Sequence, residues 1–272
     1  MSRHRLLNVR HARVIGSILG YTSVLIAIYR VPELWVDGDK NFTNSIVTYA
    51  VVLAVFLSII FVKGFDCLEY FRLPRIGLAS LGTIAIAAMF VSPRIWSGQS
   101  EMKPIGIALP GIIYLLGIGF SEEVFSRGLI FGKLRHLGER KAIVYSSIVF
   151  GLLHLNVYVG YGWDLWLAYD HVISATAFGF LACAVMITTR SIWVSAIFHS
   201  LFDLHLVFEK VVDDSDSVPY PVNTLWDNLL NPWFDLFLYL PVALFIMRIN
   251  RSEWPKWVVR IANRFKLLVP KP

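Results

Sequence analysis

Three groups of ionisable residues interrupt stretches that are otherwise apolar: Ser121-Glu122-Glu123-Val124-Phe125-Ser126-Arg127, Phe150-Gly151-Leu152-Leu153-His154 and His199-Ser200-Leu201-Phe202-Asp203. A charged side chain in hydrocarbon costs roughly 2.5–3.5 kcal/mol on insertion scales, so such groups face protein interior and mark function. Helical residues four apart share a face. That spacing pairs Glu123 with Arg127 as a structural ion pair and leaves Glu122, well round the helix, as the unpaired carboxylate free for chemistry. It also lets His199 and Asp203 act together, and it places Phe150 beside His154 as a wall against lipid. A carboxylate held in an apolar chamber can take a proton from water and return it to a leaving amine. A buried Glu/His set can equally relay protons in a transporter.

These residues need elements to position them. Apolar runs at Val14–Tyr29, Ser45–Val62, Ile76–Val91, Ile105–Phe131, Ala142–Gly160, Trp163–Ile187, Ser191–Phe208 and Trp233–Met247 each approach the roughly 20 residues a helix needs to cross a bilayer. The expectation is an all-α polytopic membrane protein of about eight transmembrane helices. At about 1.5 Å per residue, Glu122 lies about 16 Å from Lys133, His154 about 20 Å from Lys141 and His199 about 14 Å from Arg190. Three helices of different direction thus bring their ionisable groups to nearly one level, as a shared site requires. His171, beside Asp170, and His205 count further toward the outer face and read as interfacial.

Composition supports the membrane reading. Of 272 residues 56% are hydrophobic and 14% aromatic, with a mean hydropathy of +0.61, more apolar surface than one soluble core hides. The formal charge of +6 does not point to nucleic acid, because the basic residues flank apolar spans. With both termini and segments 63–75, 132–141 and 188–190 on one side, and Arg127 added to them, all of the 25 Lys and Arg residues except Arg30, Lys40, Arg94, Lys103 and Lys210 collect there. The positive-inside rule makes that side cytoplasmic. Arg30-Val31-Pro32-Glu33, with no small-x-small cleavage site, marks the first span as an uncleaved anchor. Cys67 and Cys183 form no disulfide framework or CxxC zinc site. The chain is expected to be a single transmembrane domain over 1–248, with the motifs in about 104–208, followed by a basic amphipathic tail over 249–272 in the headgroup layer. Trp254, Trp257, Lys256, Arg260 and Arg264 give that tail its character.

No GxSG segment for a serine nucleophile and no GxGD for an aspartyl pair is present; Gly160-Tyr161-Gly162-Trp163-Asp164 only looks similar. The three groups, in their order Glu122-Glu123-x-x-x-Arg127, Phe150-x-x-x-His154 and His199-x-x-x-Asp203, resemble the motifs of the CAAX prenyl endopeptidase type II family, also called CPBP or Abi, of intramembrane proteases. The resemblance implies eight helices around a cytoplasm-facing polar chamber in which a peptide bond is hydrolysed. It implies that Glu122 and His154 hold and activate a water and that His199 and Asp203 support the oxyanion, with Glu123, Arg127 and Phe150 in supporting roles.

Asp203 departs from members that carry asparagine, whose neutral amide donates directly to an oxyanion. It is protonated, or it orients His199, or it joins a metal site. Glu122, His154 and His199 would be the zinc ligands in that last case; metal-free glutamate catalysis is preferred, there being no HExxH pair. The partners expected are a membrane-associated or lipidated protein or peptide substrate and the bilayer, with no nucleic acid. Prenylated CAAX tails, leader peptides and membrane-anchored precursors all stay open as substrates. The location preferred is a bacterial inner membrane over the endoplasmic reticulum. A proton-coupled transporter, or an immunity or partner protein of the same fold, is the non-proteolytic alternative.

Overall fold

The computed structural model describes residues 3–30, 43–63, 67–73, 82, 100–102, 105–155, 158, 165–204, 208–210, 225–251, 260 and 264. The expected third span apart from Gly82, most of the loop between Glu209 and Pro232, His205 and the tail beyond Arg251 apart from Arg260 and Arg264 lie outside them. The architecture is helical. Helix α1 runs Arg3–Arg30, α2 Thr43–Lys63 and α3 Ile105–Glu123. The last continues as a π-helical segment, Val124–Phe131, returns to α-helix at Gly132–Leu134 and ends in a tighter 3-10 turn at Arg135–Leu137. Then come α4 (Glu139–Leu153), α5 (Leu165–Thr189), α6 (Ile192–Phe202) and α7 (Leu225–Arg251). Among the described residues one short antiparallel pair, Ser100–Met102 with Phe208–Lys210, ties the approach to α3 to the exit from α6, with Glu101 opposite Glu209.

Residues of the membrane type lie outside and polar ones inside. Ile15, Leu19, Val51, Phe61, Ile113, Ile148, Leu167, Phe234 and Phe237 are exposed, whereas Ser121, Glu123, Ser126, Arg127, Ser147, Ser195, His199 and Ser200 are buried. In water that distribution exposes far too much apolar surface; in lipid it is the expected one. The chain is an integral membrane protein. Among the described residues three helices are long and apolar enough to cross hydrocarbon, Ser45–Lys63, Ala108–Leu137 and Leu165–Thr189, and Ala12–Ile28, Ile192–Phe202 and Trp233–Leu244 are shorter apolar helices.

Two expected spans stop early. The fifth ends at Leu153 with His154 as its cap, not at Gly160, and the seventh ends at Phe202 with Asp203 as its cap, not at Phe208. With 15 and 11 residues, the regular helices are about 22 and 16 Å long, shorter than the roughly 30 Å of hydrocarbon; beyond them the described residues Leu155 and Tyr158 are helical again and Asp203–Leu204 form a tighter turn.

Helix α5 packs against α4, α6 and α7, and α3 against α2 and α6. Lipid supplies no hydrophobic drive between helices, so close packing depends on small residues and polar contacts at the crossings. At the α4–α5 crossing an added Cβ on Gly179 would stand 2.9 Å from Ser147 Cα, and one on Gly151 would run into the Thr176 hydroxyl and the Val172 carbonyl. At the α3–α6 crossing Gly119 lies against Ser200, whose hydroxyl donates to the Leu115 carbonyl at 3.0 Å. The turn from α5 to α6 closes with Arg190 at φ +53 and the Ser191 amide donating to Met186 O. Beneath α6, Ser191 Oγ donates to Arg72 O at 3.1 Å and Trp193 Nε1 to Phe71 O at 3.0 Å.

Gly179→Ala forces backbone apart at the α4–α5 crossing. It is expected to destabilise by about 1–3 kcal/mol, the usual cost of overpacking. Gly20→Ala, where nothing lies within 4 Å, should leave stability unchanged or slightly raised. Thermal unfolding of both variants in one detergent checks the contrast.

Candidate active site

The centre of the site is the carboxylate of Glu123, fully buried at the end of α3. Arg127 Nη1 lies 2.9 Å from Glu123 Oε1, one turn on, with the guanidinium as deeply buried. Ser195 Oγ donates to Glu123 Oε2 at 2.6 Å, and His199 Nδ1 stands 3.1 Å from Oε1. A carboxylate paired with arginine only accepts, so the His199 Nδ1 carries the proton of that bond. The other ring nitrogen, Nε2, is 3.5 Å from Asp203 Oδ2. His199 is therefore strung between two acids on different elements. The ion pair of Glu123 and Arg127 is present, and the acid has a second function beyond it, as the anchor of His199.

Arg127 is further held by its Nη2, which donates to the Gly179 carbonyl of α5 at 3.2 Å. Its Nε has no acceptor among the described residues, and the Phe150 ring lies 4.5 Å below the guanidinium carbon. A desolvated cation over an aromatic face gains about 2 kcal/mol. Phe150 also meets His154 edge-on at 4.8 Å and His199 at 5.8 Å between centroids. Its place is thus inside the protein and over the cation; the expected wall against lipid is not what it forms, because α4 turns this face to α5 and the π-helical segment.

The π-helical segment itself was not legible in the sequence. Such segments are rare and concentrate at functional sites. Here all eight residues are buried. The Gly128 carbonyl accepts from the Cys67 thiol at 2.8 Å, and Gly128 and Gly132 let Ile60, Phe71 and Cys67 approach where a Cβ would collide. The wider turn places Arg127 where it faces Glu123, Gly179 and Phe150 together.

Glu122 is half-buried and forms no hydrogen bond or ion pair with a described residue, and its electrostatic partners are, in order, His199, Asp203, Glu123 and Arg127. His154 Nδ1 lies 2.8 Å from Phe150 O; a carbonyl only accepts, so Nδ1 carries the proton and Nε2 is left with its lone pair. His154 in turn interacts with His199 and Asp203. Glu122, His154, His199 and Asp203 therefore belong to one electrostatic neighbourhood. Among the described residues no three His, Cys, Asp or Glu side chains form a group that could hold a metal ion, so no step is assigned to one.

Two contacts correct the sequence reading. His171 is not an isolated interfacial residue: its ring packs 4.6 Å from that of His154, and Tyr158 Oη lies 3.0 Å from its Nδ1. Ser195 escaped notice, although it stands four residues before His199 and so on the same stripe of α6 as His199 and Asp203, a spacing that carried the signal.

Residues 104–205 match the family model described as type II CAAX prenyl endopeptidase, Rce1-like. The matched segment holds all three motifs, and it covers less than half of the chain. No curated protein and no solved structure matches.

Removing one partner of a buried ion pair leaves the other charge stranded, at a cost of about 3–5 kcal/mol. Arg127→Met should destabilise by that order, and adding Glu123→Gln should restore a measurable part of it. A double-mutant cycle on thermal stability checks this; additive losses would mean that the two groups are not coupled.

Proposed function

We propose that the protein is an intramembrane endopeptidase of the CAAX-protease type, cutting a peptide bond in a membrane-associated or lipidated protein or peptide. The match of residues 104–205 to the type II CAAX prenyl endopeptidase model supports the reaction class. What carries the assignment of roles is Glu122: among the described residues it is the acid of the pair without an ion-pair partner, and it shares His199 and Asp203 as electrostatic neighbours with His154, whose ring lone pair is directed away from its own backbone. Glu122 and the His154 Nε2 hold a water between them, and Glu122 takes its proton as the oxygen attacks the scissile carbonyl. The same carboxyl then protonates the leaving amine.

His199 receives the oxyanion. With Glu123 accepting from Nδ1 and Asp203 beside Nε2, both ring nitrogens are placed to bear protons, and the imidazolium offers charge where family members with asparagine offer a neutral amide. Asp203 then acts through His199 and does not meet the oxyanion itself. Glu123, Arg127, Ser195 and Phe150 hold this arrangement without touching the reacting atoms. A single transmembrane domain over 1–248 with its termini in the cytoplasm, and the chamber open to that side, follows from the basic residues collected there. A bacterial inner membrane is the preferred location, and no metal is required.

The test uses the purified full chain in nanodiscs, with tagged substrates covering prenylated CAAX tails, unmodified tails and short secreted-peptide leaders. Glu122→Gln should lower cleavage by at least about 100-fold, as loss of a general base does, while substrate capture is retained. Cleavage at the wild-type rate in that variant would remove Glu122 from the mechanism. Stoichiometric zinc in the same sample, with turnover lost to a chelator, would replace the metal-free route but leave the protease. Proton-coupled uptake by proteoliposomes in the absence of any cleavage would favour a transporter.

A further inference from the structure

His154 is half-buried at a helix end, a place where a side chain needs further contacts to be held. It caps α4, beyond the last residue of the regular helix, with its amide bonded back to Gly151 O. Its ring has one hydrogen bond, from Nδ1 to Phe150 O. A single bond to a backbone carbonyl fixes the tautomer and lets the ring rock about that bond. Something must stop the rocking, since a misplacement of 1 Å at a reacting group costs as much as 100-fold in rate.

The Phe150 ring meets the imidazole edge-on from within α4, and a further ring closes on it from α5. The His171 ring lies 4.6 Å from the His154 ring at an interplanar angle of 60°. His171 is in turn fixed by Tyr158, which is buried and stands four residues beyond His154 in the chain. Tyr158 Oη lies 3.2 Å from the Leu167 carbonyl and 3.0 Å from His171 Nδ1. A hydroxyl has one proton, and a carbonyl takes it because a carbonyl cannot donate. His171 Nδ1 is then the donor to the phenol oxygen, so the same contact sets the His171 tautomer. Tyr158 thereby closes a loop: the segment carrying His154 is tied to the turn of α5 that carries the ring packed on His154. Tyr158 and His171 stand outside all three motifs.

We propose that Tyr158 and His171 are positioning residues that form a clasp on the His154 imidazole, keeping its Nε2 directed into the chamber. The consequence for catalysis rests on the hydrolase reading; the clasp itself does not. Two measurements on the full chain in nanodiscs separate them. In nitrogen-15 histidine NMR, with His154 assigned by loss of its signals in His154→Gln, the wild type should give one sharp Nδ1–H form. Tyr158→Phe and His171→Leu should broaden or split it. His171→Phe, which keeps a ring in place, should preserve it.

In the cleavage assay, Tyr158→Phe and His171→Leu should lower kcat about tenfold with KM within about twofold, the pattern of a group needed only in the transition state. His171→Phe should recover most of that loss. An unchanged His154 spectrum in both Tyr158→Phe and His171→Leu overturns the clasp. So does a His171→Phe variant as impaired as His171→Leu, since the ring contact would then not be what matters. A wild type that cleaves nothing overturns the hydrolase reading, and the NMR arm still decides the clasp.

Discussion

A fully buried carboxylate must be neutralised, and the arrangement of this protein follows from how Glu123 meets that requirement. Moving one carboxylate out of water costs several kcal/mol even after the protein relaxes, and the attraction of its partner repays this only when the remaining lone pairs are also satisfied. Glu123 answers with a guanidinium from the next turn and with Ser195 and His199 from α6. The guanidinium in turn requires Gly179 O from α5 and the Phe150 face from α4. Four elements are thereby committed to one relative placement by two charges. Apolar side chains cannot do this in a bilayer, because lipid tails solvate them as well as another helix would.

The same requirement explains the glycines and the irregular backbone. Polar groups reach one another only if the helix axes come close, and Gly119, Gly151 and Gly179 sit at the crossings where a methyl group would meet Ser200, Thr176 or Ser147. Widening α3 into a π-helical segment frees the Gly128 carbonyl to accept from the Cys67 thiol and turns Arg127 toward α5. Such irregularity is tolerated at membrane depth only inside protein, and all eight residues of the segment are buried there.

Spacing four along a helix was enough to read the Glu123–Arg127 pair, the His199–Asp203 pair and the Phe150–His154 contact, because each lies within one turn. Depth arithmetic, using only the rise per residue, pointed to a shared neighbourhood for Glu122, His154 and His199, and in the structure Glu122 and His154 each interact with His199. What spacing could not show was contact between helices. Glu123 with His199, Arg127 with Gly179 and Phe150, and His154 with His171 each join different elements at positions far more than one helical turn apart in the chain. Helix ends were missed for a related reason: the run from Ala142 to Gly160 stays apolar past His154, and nothing in its composition marks the break. The polarity that ends α4 and α6 is that of a site, not of the bilayer surface.

That break bears on the chemistry. A helix ending leaves its last carbonyls without intrahelical partners, and in hydrocarbon each such group would cost several kcal/mol. The regular parts of α4 and α6 end at His154 and Asp203, whose amides bond back within the last turn, to Gly151 and Leu152 and to His199 and Leu201; any carbonyl left over there needs a donor that lipid does not supply. Water is the donor available to a half-buried group such as Glu122, and it is also the nucleophile that hydrolysis consumes. Ending both regular helices here therefore leaves His154 and His199 in one electrostatic neighbourhood with Glu122, the arrangement that the proposed hydrolysis requires.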